Sequence, residues 1–153
     1  MRTIEAVRRP GIAIQADQTI RDAAKLMESA GVGTLVVVDG DDLVGIVTDR
    51  DLVRRALAPG LDPTARVDAV MSMPVETVDA DADLHDTVRS FESRGTRRLV
   101  VTEGGRFVGI ISVDDLVIDL VADLGALIRP VTGEVLFSQR DVAAPVAVAP
   151  AGG

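Results

Sequence analysis

The stretch Gly45-Ile46-Val47-Thr48-Asp49-Arg50-Asp51-Leu52-Val53 decides the fold, because it returns without insertion or deletion as Gly109-Ile110-Ile111-Ser112-Val113-Asp114-Asp115-Leu116-Val117. Each copy runs from a short apolar strand into a hydroxyl residue, then an Asp three positions on, then a helix. A hydroxyl and a carboxylate therefore stand together at a helix start. Such a pair caps the helix or holds a ligand, and at this level both readings are open.

Working outward, residues 10–53 set against 74–117 at a constant offset of 64 give 17 identities in 44 positions with no gap. The period is too long and the copies too few for a solenoid, so two units must bury their faces against each other. In the first copy Ile12 and Ile14 lie in an extended run. Ile20, Ala23, Ala24 and Met27 then recur at helical spacing up to Gly31. Leu35-Val36-Val37-Val38 and Leu43 to Val47 read as two strands joined by a tight turn at Asp39-Gly40. The helix after Thr48 is expected to bury Leu52, Val53, Ala56 and Leu57 and to stop at Pro59-Gly60.

The second copy repeats this plan. Leu84, Thr87, Val88 and Phe91 form the helical stripe, Leu99 to Val101 and Phe107 to Ile111 the strands, and Gly104-Gly105 the turn. The fold class is α/β (α+β), built as two β-α-β-β-α repeats. Short helical lead-ins are expected at Ile4 to Val7 and Val67 to Met71, before each copy. The last helix carries a long apolar stripe, Leu116, Val117, Leu120, Val121, Leu124, Leu127 and Ile128, and is expected to end at Pro130. Val135-Leu136-Phe137 reads as a short strand, and residues 143–153, of Ala, Val, Pro and Gly only, as disordered. The repeats divide the chain into 1–63, 64–129 and a tail, 130–153.

Composition narrows the function. The formal charge is -8, and 24 acidic residues against 16 basic ones repel a polyanionic backbone. Three Phe with no Trp or Tyr supply no stacking platform for strings of bases. Nucleic acid is excluded as a general partner. The absence of Cys removes disulfide scaffolds, zinc ribbons and thiol catalysis, and fits a reducing compartment. Without an apolar leader or a run of bilayer length, the expectation is a soluble, cytoplasmic protein with no membrane contact. The lone His85 falls on an exposed helix face. The acidic group Asp79, Asp81, Asp83 and Asp86 suits a helix start better than a metal. No catalytic residue, metal site or required cofactor is expected, and the chain is not read as an enzyme.

The gapless duplication resembles a tandem pair of CBS domains, the Bateman module. Gly-Ile-Val-Thr-x-x-Asp closes copy one, Gly-Ile-Ile-Ser-x-x-Asp closes copy two, and Gly-Val-x-x-Leu-x-Val-Val-Asp spans Gly31 to Asp39. The resemblance covers residues 1–128, and the length is similar to stand-alone small bacterial CBS-pair proteins. The family's pattern often places Pro where Val36 and Val100 stand here. The resemblance implies a pseudo-twofold arrangement with two clefts between the repeats that bind adenine nucleotides such as AMP, ADP or ATP. It implies a regulatory role sensing energy or stress state, and a homodimer or other protein partner. Carried over residue by residue, it assigns phosphate or ribose contact to Thr48 and Ser112 and the ribose hydroxyls to Asp51 and Asp115. The strands Gly11 to Ile14 and Val75 to Val78, with Ile12, Ile14 and Val78, then line the base.

The residues themselves weigh the two readings differently. Each T/S-x-x-D is also a capping box worth about 1 kcal/mol. Helix starts nevertheless attract phosphate, and a phosphate in an acidic protein needs local cations. Arg50 is the candidate beside Thr48, and Arg97 and Arg98 enter the second copy where the first has Gly33 and Thr34. Strand alternation lets one of those two arginines face the cleft. Asp114, in the place of Arg50, disfavours phosphate in copy two, so one cleft is expected to be the better site. The alternative is a ligand-free dimerisation or protein-interaction module built on the stripe from Leu116 to Ile128, with the motifs only capping.

Overall fold

The computed structural model describes residues 2–7 and 11–138, the last nine by backbone alone. The first repeat comprises β1 (Ala13–Gln15), α1 (Ile20–Ala30), β2 (Thr34–Asp39), β3 (Asp42–Thr48) and α2 (Asp49–Asp51), which continues as a π-helical turn, Leu52–Leu57. The second comprises β4 (Thr77–Asp79), α3 (Leu84–Arg94), β5 (Arg98–Glu103), β6 (Arg106–Ser112) and α4 (Val113–Ser138). The expected order holds in both copies. Each forms a three-stranded sheet in which the first strand pairs parallel with the second and the second antiparallel with the third. The register irregularity recurs at matching places, Val37/Val38 and Val101/Thr102.

Local chemistry explains the boundaries. Thr19 caps α1 in a reciprocal box with Asp22, and Gly31 ends that helix in the left-handed conformation, φ 64°. The tight turns fall at Gly40-Asp41, one residue beyond the expected Asp39-Gly40, and at Gly104-Gly105. β-branched strand residues fill the cores: Val36, Val37, Val47, Val100, Val101 and Ile111 are fully buried.

Two cores form, and each draws on chain from both repeats. The 3-10 turn Val67–Ala69 places Val67 and Val70 in the core of Ile14, Ile20, Met27, Leu35 and Val47. The N-terminal 3-10 turn Thr3–Ala6 places Ala6 in the core of Val78, Phe91, Leu99 and Ile111. Backbone bonds stitch these lead-ins down, Thr3 N–H to Ala82 O (2.9 Å) and Ile4 N–H to Ala80 O (3.0 Å) on one side, Ile20 N–H to Ala65 O (2.9 Å) and Val67 N–H to Gln18 O (2.8 Å) on the other. This exchange explains the glycine that opens the duplicated stretch. A Cβ at Gly45 would lie 2.3 Å from Met71 Sδ, and one at Gly109 2.7 Å from Val7 Cγ1. Each glycine lets a lead-in cross directly over the third strand.

Three expectations are corrected. Val53 and Leu57 are exposed, because after Asp51 the helix widens to i→i+5 bonding, as in Ala58 N–H to Val53 O (2.9 Å), which turns their side chains off the core while Ala56 stays buried. Ala24 is likewise exposed on α1. The last helix runs through Pro130 to Ser138, so 135–137 is helical and not a strand. A proline costs one helical bond, whereas a three-residue strand needs a sheet edge, and no strand is described beyond Val113. The chain divides at Leu116 into two units; the second, from Val117, is described by α4 alone. The expected disorder of residues 143–153 lies outside the described residues.

Candidate ligand-binding clefts

The duplicated motif forms the same hydrogen-bonded box twice. Asp51 Oδ2 accepts from the Thr48 N–H (2.9 Å) and hydroxyl (2.9 Å), while the Thr48 hydroxyl accepts from the Asp51 N–H (3.1 Å). In the second copy the same three contacts are 3.2, 2.6 and 3.2 Å, between Ser112 and Asp115. Both pairs therefore cap their helices. Thr19 and Asp22 form a third such box, at α1, so the motif alone does not mark a ligand. What distinguishes Thr48–Asp51 and Ser112–Asp115 is their placement at clefts.

Each cleft is about 310 Å³ and takes its helix start from one repeat and its strand entry from the other. The first cleft brings Ser112 and Asp115 together with Ile12, Thr34, Arg98 and Asp114. The second brings Thr48 and Asp51 together with Val75, Glu76, Arg97 and Arg98. Backbone bonds set the helix starts against the strand entries of their own repeat, Asp49 N–H to Gly33 O (3.0 Å) and Val113 N–H to Arg97 O (3.1 Å).

Of the residues expected at the site, Thr48, Asp51, Ser112, Asp115, Ile12, Arg97 and Arg98 line the clefts. Three do not. Ile14 and Val78 are buried in the two cores, because the strands turn those side chains inward. Arg50 lines neither cleft. Its backbone N–H binds Asp49 Oδ1 (2.7 Å), and its side chain leaves the first helical turn toward solvent. Both arginines at the entry of β5 reach the second cleft, where alternation allowed one, because Arg97 precedes the strand and is free of its pleat.

The charge asymmetry between the clefts therefore persists on different residues. The second cleft has Arg97 and Arg98 against Asp51 and Glu76, and Glu76 is ion-paired with Arg94. The first has Arg98 alone against Asp114 and Asp115. Asp51 is further steadied by Arg55, whose Nε lies 3.8 Å from Asp51 Oδ1 and whose Nη1 donates to Val70 O, Met71 O and Ser72 Oγ, each at 3.0 Å.

Sequence reading missed Glu76, Ser72 and Arg55. Glu76 stands at the 64-residue offset from Ile12, which would have found it. Ser72 enters through an isolated antiparallel bridge to Ile46, which carries no local signal. Thr34 is also notable: its buried Oγ1 has no hydrogen-bond partner among the described residues. The described residues contain no group of three or more His, Cys, Asp or Glu placed to hold a metal ion, and no helix long and apolar enough to cross a membrane.

The sequence and the fold of the two repeats are similar to those of known proteins. The CBS domain model matches residues 4–58 and again 67–122. An uncharacterized protein of Methanopyrus kandleri is 33% identical over 115 residues, 73% of this chain and 59% of that one. A putative signal-transduction protein with CBS domains from Burkholderia ambifaria superposes with TM-score 0.70 at 30% identity, covering 80% of this chain and 96% of that one. A CBS domain protein of Pyrobaculum aerophilum complexed with AMP superposes with TM-score 0.68 at 28% identity, covering 76% and 90%. Matched twice along its length and in both copies of its β-α-β-β-α plan, the chain belongs to the CBS domain family, as a tandem pair.

Proposed function

We propose that this protein is a regulatory module that binds an adenine nucleotide, AMP, ADP or ATP, in the clefts between its two repeats and so senses energy or stress state in the cytoplasm. One observation carries the reading: the second cleft sets a hydroxyl–carboxylate helix start against two arginines from the other repeat, in a space of about 310 Å³. Helix N–H groups and guanidinium groups suit phosphate, and a carboxylate suits a ribose diol. The AMP complex of the Pyrobaculum aerophilum relative supports the ligand class. Asp51 and Asp115 hold the ribose, Thr48 and Ser112 the ribose or phosphate, and Arg97 and Arg98 the phosphate. The module needs no cofactor and performs no catalysis. Its output is a differential affinity between two states of itself or of a protein partner.

Isothermal titration with AMP, ADP and ATP tests the proposal on wild type and on Asp51→Ala with Asp115→Ala, with circular dichroism checking the folding of the doubly substituted chain. Heat from at least one nucleotide in wild type, weakened tenfold or more in the variant, is expected; no heat from any of the three overturns it.

A second reading, a ligand-free homodimerisation module, is favoured by the exposure of α4. Val117, Ile118, Leu120, Val121, Leu124, Leu127 and Ile128 are between 45% and 69% exposed. Two such faces together offer on the order of 1,200 Å² or more, the size of a stable interface. A second copy packed on α4 is compatible with nucleotide binding. Sedimentation and titration together separate the readings: a dimer in a protein that gives no heat with any nucleotide supports this one, and a monomer at micromolar concentration excludes it.

A further inference from the structure

We infer that the two clefts compete for phosphate through shared cations, so that occupancy of the Thr48–Asp51 cleft weakens anion binding in the Ser112–Asp115 cleft. The inference rests on the nucleotide reading above and adds a sign to the coupling between its two sites.

Two separate contacts give that sign. Arg98 lines both clefts, and its guanidinium has no ion-pair partner among the described residues. One guanidinium can grip one phosphate bidentately, so the cleft that fills first takes it. Arg97 lines the second cleft but its Nη2 donates to Asp114 Oδ1 (3.1 Å), and Asp114 lines the first. A phosphate that draws Arg97 away leaves the Asp114 charge uncompensated in the first cleft. Both events lower anion affinity there. Arg97 and Asp114 are each 74% exposed, so their ion pair is weak and easily exchanged for a phosphate. In the first repeat Gly33 and Thr34 stand where the second has Arg97 and Arg98, so no cation from the first repeat's strand entry replaces what is lost.

The second cleft fills first, because it holds both arginines. The coupling is about fivefold at low salt, the lower end of the usual range, and shrinks as salt screens these exposed groups.

Isoleucine methyl NMR separates the sites, since Ile46 lines the second cleft and Ile12 and Ile110 the first. The chain has no Cys. In Ser72→Cys the single thiol can therefore be alkylated with N-ethylmaleimide to plug the second cleft in protein already folded. AMP, ADP and ATP are each titrated before and after alkylation, and the midpoints are read with the one that binds tightest. Before, Ile46 responds first and Ile12 at higher concentration. Afterwards Ile46 falls silent and the Ile12 midpoint drops about fivefold, a drop made smaller by adding Arg98→Thr, which removes one of the two contacts. An Ile12 midpoint unmoved by alkylation overturns the coupling while leaving nucleotide binding intact. No response at any of the three methyls before alkylation overturns both.

Discussion

Gly109→Ala tests the exchange of lead-ins between the two cores. The added Cβ would sit 2.7 Å from Val7 Cγ1, roughly 1 Å inside a normal carbon contact. Val7 cannot relieve this by rotation alone, because a β-branched side chain is stiff at χ1, so the N-terminal turn must shift. Overpacking of this kind costs about 1–3 kcal/mol. Larger movement would draw Ala6 and Thr3, both fully buried, out of the second core and break the 2.6 Å bond between the Thr3 and Thr87 hydroxyls. Gly45→Ala meets Met71 at Sδ (2.3 Å), Cγ (2.9 Å) and Cβ (3.2 Å); the thioether can rotate away but Cβ cannot, so the cost falls in the same range, about 1–3 kcal/mol. Urea denaturation should show both variants destabilised, each by about 1–3 kcal/mol. A loss below about 0.5 kcal/mol at Gly109, the size of an ordinary surface change, would refute the packing of Val7 over β6.

Other consequences follow from single residues. Thr34→Val removes a buried hydroxyl that has no partner and should stabilise the fold by about 1 kcal/mol in the same assay; a loss would mean that the hydroxyl is satisfied. Thr87→Val should cost about 1 kcal/mol by breaking the hydroxyl pair with Thr3, and an unchanged midpoint would contradict that bond. Hydrogen bonds from Thr19, the hydroxyl first and then the backbone N–H, hold the Asp22 carboxyl below its ordinary 3.8. Because the folded value is the lower one, this stabilisation is complete above about pH 4 and is lost as pH falls through the folded value. Thr19→Ala should flatten the acid limb of stability against pH, and an unaltered limb would refute the link. Leu124→Glu, at a residue 57% exposed on α4, should convert a dimer to monomer in sedimentation while circular dichroism shows the fold retained, and a dimer that persists would exclude α4 as its interface.

The duplicated stretch made the fold legible, since a gapless 64-residue offset transfers every element of one repeat to the other. The caps were legible too, because a hydroxyl three residues before an Asp is a local pattern with a local cause. What resisted reading came from long-range contact. Nothing near Gly45 or Gly109 in sequence tells that Met71 and Val7 cross over them. Arg50, two residues beyond Thr48, is the nearest cation in sequence, but one helical turn directs it to solvent while Arg97 and Arg98 arrive from the other repeat. Val53 and Leu57 fit a helical stripe of period 3.6 and lost the core when α2 widened after Asp51.

The central claim is that an adenine nucleotide occupies a cleft between the repeats, and crystal structures of the protein grown with AMP, ADP and ATP test it most directly. The account predicts density in the Thr48–Asp51 cleft, with ribose hydroxyls on Asp51 and phosphate between Arg97 and Arg98. Clefts left empty by all three at saturation, or nucleotide bound only elsewhere on the chain, would contradict it.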